Sequence, residues 1–205
     1  MAWSGMVTAA QPRIRLTRSF DQLSHTYLGY LLRIEGVVDG GRTQFRVAIG
    51  SGAHRTHQLR VRDQVEGVGV RVADPRLEIA DIYKVSKLKL ISRGETAAET
   101  TPPWHGVPPP LEVYRERGHR RLSAATYHST CSSCLWGCAM PVEMIIDQWN
   151  PERRRYRTET FCYGPLSCRS YKPGPTRKVP GRHGMNYEEQ DWVDQDATAH
   201  RRPDE

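Results

Sequence analysis

The chain has 205 residues, of which 38% are hydrophobic and 26% charged, with a formal net charge of +7 and a mean hydropathy of −0.65. That length buries at least one real core and allows one large or two small domains, and the lack of any apolar run near the roughly 20 residues a bilayer requires excludes a membrane-spanning helix. All five cysteines fall between Cys131 and Cys168, a distribution that does not suit a disulfide-stapled secreted fold and points instead to reduced thiols or a metal site.

Met1 to Ala10 carries no basic stretch ahead of its small and apolar residues, and Arg13, Arg15 and Arg18 follow at once. That order is the reverse of a secretory signal, so a cytoplasmic chain with residues 1–18 flexible is expected. Between Leu28 and Ile91 the apolar residues alternate with period two: Leu28, Tyr30, Leu32 and Ile34, then Phe45, Val47 and Ile49, then Val68, Val70 and Val72, then Leu88 and Leu90. Such alternation is strand spacing with one face buried. Turn formers separate the runs at Asp39-Gly40-Gly41, Gly50-Ser51-Gly52 and Ala73-Asp74-Pro75. Residues 1–93 are therefore expected to form a small antiparallel barrel or sandwich. The stretch from Gly50 to His57 reads as a polar loop between two strands. His54 and His57 have no acidic or thiol partner nearby in sequence, so they and Arg55 are assigned to polyanion contact rather than to a metal pair.

Residues 94–110, with five prolines and no apolar periodicity, read as an extended linker of partial polyproline II character. Leu111 to Leu122 has a helix-compatible composition interrupted at Gly118. The cysteines follow as Cys131-x2-Cys134-x3-Cys138 and, after 23 residues, Cys162-x5-Cys168. Between the two groups Val142, Met144 and Ile146 alternate with Glu143, Ile145 and Asp147, the turn reads Asn150-Pro151-Glu152-Arg153, and Tyr156, Thr158, Thr160 and Cys162 return. That pattern predicts a β-hairpin. Its tip is strongly basic, with Arg153, Arg154, Arg155 and Arg157. Lys172, Arg177 and Lys178 extend the basic surface through a segment broken by Gly and Pro, for which neither helix nor strand is expected. Residues 181–205 form an acidic irregular tail in which Trp192 and Val193 are the apolar pair. The tail either docks on the basic body, binds a protein partner through Trp192, or stays disordered.

Two resemblances emerge from these residues. The turn and valine-rich run from Leu59 to Gly67 resembles the corresponding stretch of OB-fold proteins, implying an OB-like β-barrel over residues 26–92. Thiols at the open end of a hairpin resemble a zinc ribbon, implying one structural Zn2+ held by Cys131, Cys134, Cys162 and Cys168. Cys138 is the surplus thiol and an alternative ligand, and it admits a [4Fe-4S] cluster held with Cys131, Cys134 and either Cys162 or Cys168. His128 is assigned to the surface.

The fold class expected is mainly β: an OB-like barrel (1–93), a proline-rich linker (94–110), a zinc-ribbon-like module (111–180) and the acidic tail (181–205). Lys and Arg outnumber Asp and Glu by 15 to 8 in residues 1–93 and by 12 to 6 in residues 111–180, whereas residues 181–205 hold 3 against 7. A basic body with an opposed tail favours a polyanionic partner. With no phosphate-cradling glycine loop, nucleophile elbow or H-E-x-x-H, the expected function is nucleic-acid binding without catalysis, directed at RNA or single strands. The rival readings are a zinc-containing adaptor subunit and an iron-sulfur redox protein. The adaptor reading rests on a family that pairs the same two modules, usually in the reverse order.

Overall fold

A strand of 17 residues, β1 (Ala2–Arg18), runs through the middle of the molecule, where the sequence reading places a flexible terminus. The computed structural model describes residues 1–19, 22–95, 101–150 and 152–204; residues 96–100 of the expected linker and Pro151 of the expected hairpin turn lie outside them. β1 pairs antiparallel with β2 (Leu23–Val38) along its length and with β4 (Gln64–Arg71) through Ala2–Met6. Its far end pairs in parallel with β7 (Gly137–Ile145), through Leu16, Thr17 and Arg18. Ala9, Ala10 and Gln11 are buried one after another, because here β1 is covered on both faces. Small residues fit that double burial, and their modest hydropathy hides the strand from a periodicity reading.

The remaining pairings link β2 to β3 (Gly41–Ile49), β3 to β5 (Ile82–Ser92) in parallel, and β5 to β4. With β1–β2 and β1–β4 these form a closed cycle in the order β1-β2-β3-β5-β4-β1, within a mixed eight-stranded sheet. Gly5 and Gly36 face each other across β1 and β2, and a Cβ on Gly36 would lie 2.0 Å from the Ser4 carbonyl oxygen. Tyr30, Leu32, Ile34, Phe45, Val47 and Ile49 point into the core as expected. The phase expected for β4 is reversed: Val68 and Val70 are 36% and 51% exposed, and Val65 is buried. Gly67 and Gly69 share the inner face with Val65, because Trp3 fills the space beside Gly67 so closely that a Cβ would lie 2.6 Å from its ring. Another correction falls between β3 and β4, where Ser51–His57 forms a short helix, α1, rather than a loop; Gln58 closes it in the left-handed conformation.

The second half is built on the same core. Helix α2 (Leu111–Arg117) buries Leu111 and Tyr114 and ends at Gly118, whose φ is 66°. Strand β6 (Arg120–Arg121) and the short helix α3 (Ala124–Thr126) lead into a turn of π-helix over Tyr127–Cys131. The predicted hairpin is present as β7 and β8 (Arg154–Cys162), with Val142 opposite Arg157 and Gly137 opposite Cys162. One hydrophobic core joins Trp3, Val7, Leu32 and Val47 to Tyr114, Met140, Val142 and Phe161. The described part of the proline-rich segment is packed rather than loose. Trp104 sits against Leu122 and Tyr127, and the Tyr30 hydroxyl donates to the Pro109 carbonyl at 2.8 Å.

The acidic tail docks on the body. Arg177–Pro180, expected to be irregular, is a strand, β9, that pairs with β10 (Asn186–Glu189), and Trp192–Thr198 forms α4. Buried guanidinium groups draw these carboxylates in. Arg121, only 2% exposed, donates from Nε to Asp194 at 2.9 Å and also pairs with Asp191. Arg18 pairs with Glu189 at 2.8 Å and with Glu159 at 3.2 Å, and Glu159 in turn pairs with Arg177 at 2.8 Å. Beside this network the rings of His25 and His119 lie 4.6 Å apart. Burial, reinforced by the Arg18 charge, lowers the His25 pKa to about 4, and burial also holds His119 well below the usual imidazole range.

Asp194 is one of two carboxylates on the buried Arg121, so Asp194→Ala removes charge-assisted hydrogen bonds and is expected to cost about 2 kcal/mol in denaturant unfolding; a loss under about 0.5 kcal/mol, the range of an ordinary surface substitution, would show that the tail is not structural. Depressed imidazole pKa values stabilise the fold above the unfolded pKa of about 6.5 and cease to do so as the pH falls through the folded one. Denaturant midpoints are therefore expected to drop between about pH 7 and about pH 4.5; a flat profile would mean that these rings charge freely.

Candidate metal centre and basic surface

Three of the five cysteines share one buried cluster, and a fourth lies close enough for its charge to act on it. Cys131, Cys134 and Cys162 belong to a small buried cluster with Leu122 and Tyr127, with Trp104 and Trp136 packed against it. Cys168 is half-buried, and its charge, with those of Cys134 and Cys162, acts on Cys131.

The first pair comes from the turn that ends the π-helical segment. The Cys134 amide donates to the Cys131 carbonyl at 3.1 Å, and the Gly137 amide to the Cys134 carbonyl at 3.0 Å. Both carbonyls are also held from β1, because the buried Gln11 donates from Nε2 to Cys131 O at 2.9 Å and to Cys134 O at 2.7 Å. Its Oε1 accepts from the Tyr127 hydroxyl at 2.8 Å. One amide side chain thereby meets three hydrogen-bonding groups that have left water. Gln11 is a residue that the sequence reading missed; its only signal is a polar amide between apolar residues of what proves to be a strand.

The second pair starts at the end of β8. Cys162 is the last strand residue, and the Gly164 amide donates to its Sγ at 3.4 Å. The chain then turns at Pro165, where the Cys168 amide donates to the Pro165 carbonyl at 3.1 Å. Arg120 Nη2 binds that same carbonyl at 2.9 Å. The long x5 spacing is thus folded back within a few residues.

Burial is the largest influence on Cys131, Cys134 and Cys162. It raises Cys131 to about 12, with the neighbouring thiols adding to the shift. Cys134 is raised to about 11 by burial and drawn partly back by the Trp136, Trp104 and Gly137 amides. Burial raises Cys162 as well, opposed by the Gly164 amide and the Arg120 charge. Among the described residues no group of three or more His, Cys, Asp and Glu side chains has metal-binding geometry as placed. The sulfurs come from two loops, and the Gly164 amide points at that of Cys162.

Cys138 stands apart. It is fully buried, and its Sγ donates to the Pro12 carbonyl at 3.4 Å. Strand alternation puts it on the face of β7 that holds Met140, Val142 and Met144. The signal was in the sequence, because Cys138 has the same parity as Val142 and Met144.

The basic residues singled out from sequence are scattered in role. Arg153 and Arg155 are exposed on the hairpin, whereas Arg154 pairs with Glu143 at 2.5 Å. Arg157 pairs with Glu159 at 2.5 Å and donates to the Lys178 carbonyl. Lys172 is exposed, and Lys178 pairs with Glu188 at 3.0 Å. Arg177 is buried over the Phe161 ring and paired with Glu159. His54 is also buried, stacked on Tyr30 with ring centroids 3.7 Å apart, while Arg55 is exposed and His57 half-buried.

Two features went unforeseen. Trp149, beside the hairpin turn, is 83% exposed. On β5, Lys84, Lys87 and Lys89 are exposed, and Lys84 and Lys87 have φ of 50° and 52° where the pairing with β4 shifts register. Bulges of this kind re-aim side chains, and a non-glycine residue holds such a conformation at a cost. Trp192 is 58% exposed at the start of α4.

No protein-family model, no curated protein and no solved structure matches this chain. No helix among the described residues is long and apolar enough to cross a membrane.

A thiol whose folded pKa is raised stabilises the fold below the unfolded value of about 8.5 to 9 and ceases to do so as the pH rises through the folded one. With chelator present throughout, the protein is expected to lose stability steadily between about pH 9 and pH 11, as read by urea unfolding; constant stability across that window would mean that the thiols are not desolvated.

Proposed function

We propose that this chain is a zinc-bearing protein that binds RNA or single-stranded nucleic acid, with an OB-like barrel and a zinc-tied hairpin as its two contacting parts. One observation carries the reading: Trp149, almost wholly exposed, stands at the tip of a hairpin, with the exposed Arg153 just before the returning strand and the exposed Arg155 on it. An indole face flanked by guanidinium groups suits unstacked bases and the phosphates that join them. Lys84 and Lys87 on β5 add exposed cations beside Lys89, which pairs with Glu66 at 3.0 Å, and Arg55 and Lys172 stay exposed as well.

The cycle of pairings β1-β2-β3-β5-β4-β1, with β3 and β5 parallel and α1 between β3 and β4, resembles the strand plan of the OB-fold. Zinc held by Cys131, Cys134, Cys162 and Cys168 would tie the π-helical turn to the end of β8. Bound there, the ion would supply a crosslink and no reactive position. Gln11, Arg120 and the Gly164 amide do the positioning, holding the two thiol loops at the base of the hairpin so that its tip stays rigid. The engagement of Cys138 with the Pro12 carbonyl argues against the cluster in which it serves as a ligand. Five unpaired thiols fit a reducing, cytoplasmic setting.

Elemental analysis is expected to give about one zinc per chain, and loading the metal-free protein near neutral pH should release protons as the thiols ionise. Replacing Arg153 and Arg155 by Gln should reduce the dependence of log K on log salt by about 1.4 for single strands, at about 0.7 per lost phosphate contact. Trp149→Ala should weaken binding by about 1 to 3 kcal/mol with the slope unchanged. Absence of binding to single-stranded RNA and DNA at low salt, or variants that bind like the parent, would overturn the reading.

A further inference from the structure

A second site lies between α1 and the proline-rich segment, some distance along the chain from the hairpin. A cavity of about 420 Å³ opens there, walled by Tyr30, Val107, Pro108 and Leu111, with Arg55 and Glu112 also in its lining. The volume is that of a small-molecule pocket with mostly apolar walls and a few polar groups. The way the walls are held follows from proline chemistry. A proline offers the rest of the protein a carbonyl but no N–H, and the barrel side takes two successive carbonyls. Tyr30 donates to Pro109 O at 2.8 Å, and His54 donates from Nε2 to Pro108 O at 2.8 Å. The segment is thus a stiff wall pinned at two adjacent points.

That bond also defines the tautomer of His54. A carbonyl can only accept, so Nε2 carries the proton, and the neutral ring presents Nδ1 as a bare acceptor. Nδ1 is buried and has no partner among the described residues. Burial lowers the pKa of His54, which keeps the ring neutral. An unpaired buried acceptor is costly, but Nδ1 is closed to solvent and so lies beyond a ligand's reach. The acceptor that the cavity offers is the exposed Glu112 carboxylate, and the exposed Arg55 offers the cation for a phosphate.

Resting on the nucleic-acid reading above, we infer that this cavity takes one unstacked base of the bound strand, and that its Glu112 carboxylate favours a base with an exocyclic amino group over uracil. Adenine and cytosine present N–H2 donors to such an acceptor, whereas uracil presents a carbonyl at the equivalent position. Arg55 would hold the adjoining phosphate.

The test uses the full chain with AMP, CMP, UMP and the matching RNA hexamers as probes. AMP or CMP should shift the His54 ring resonances and UMP should do so at least about fivefold more weakly. Val107→Trp, which fills the cavity from an exposed position, should weaken hexamer binding about tenfold with the salt slope retained. Arg55→Gln, at an exposed position, should weaken mononucleotide binding while the near-ultraviolet circular dichroism stays that of the parent. If hexamers bind while both variants bind like the parent and His54 does not shift, the pocket assignment falls and the hairpin reading stands. Equal shifts from all three nucleotides would overturn the amino selectivity. If mononucleotides shift His54 but no hexamer binds, the pocket stands and the nucleic-acid reading falls; if neither binds, both fall.

Discussion

The structure depends on one strand being shared. β1 closes the strand cycle by pairing with β2 and β4, and its last residues then continue into the hairpin sheet through β7. No covering layer separates the two halves, so their apolar faces meet in a single core. This explains the double burial at Ala9 to Gln11 and the tolerance of Pro12 there, since Pro12 lies where β1 leaves one set of partners for the next. It also explains why the proline-rich segment is held at both ends of its described part: it spans a surface that already exists on either side.

The same strand reaches the loop of Cys131 and Cys134 through Gln11. In an isolated zinc ribbon the metal alone organises the two loops, because so few residues cannot form a core. Here the carbonyls of Cys131 and Cys134 are held by a side chain from β1, and the loop beginning at Cys162 is held by Arg120. The sheet therefore orders both thiol loops by itself, through side chains of β1 and of Arg120. Charge plays the matching role at the other side, where Arg18, Arg121 and Arg177 are compensated by Glu159, Glu189 and Asp194. A tail that looks like a solvated acidic segment is thereby turned into a structural element.

Legibility in the sequence followed the strength of the periodic signal. The hairpin from Val142 to Cys162 could be read because large apolar residues recur at every second position and a turn motif separates the arms. β2 and β3 could be read for the same reason. β4 was misread by one residue because its inner face is made of Gly67 and Gly69, whose place is taken by the Trp3 ring, so the visible valines are the outer ones. β1 was lost because alanines, a glutamine and a proline dilute its pattern. The thiol pairs could be grouped by spacing, and the separation of Cys138 follows from strand parity, but nothing local announces Gln11, since its partners lie 120 and 123 residues away. Charged residues were the least legible. A run of arginines does not say which will be buried and paired, and His54 and Arg177 went inside because partners remote in sequence await them.

One consequence concerns the order in which the chain becomes compact. The guanidinium of Arg121 is among the most deeply buried groups in the molecule, yet Asp194 follows it by 73 residues, and β1 meets β7 across more than half of the chain. Contacts of such long range form slowly, because the loop entropy is lost before the contact contributes. During synthesis the basic body must therefore exist for a time without its carboxylates, at its most cationic and most attractive to any polyanion nearby. The strand that unites the two halves is also what makes their assembly a late event.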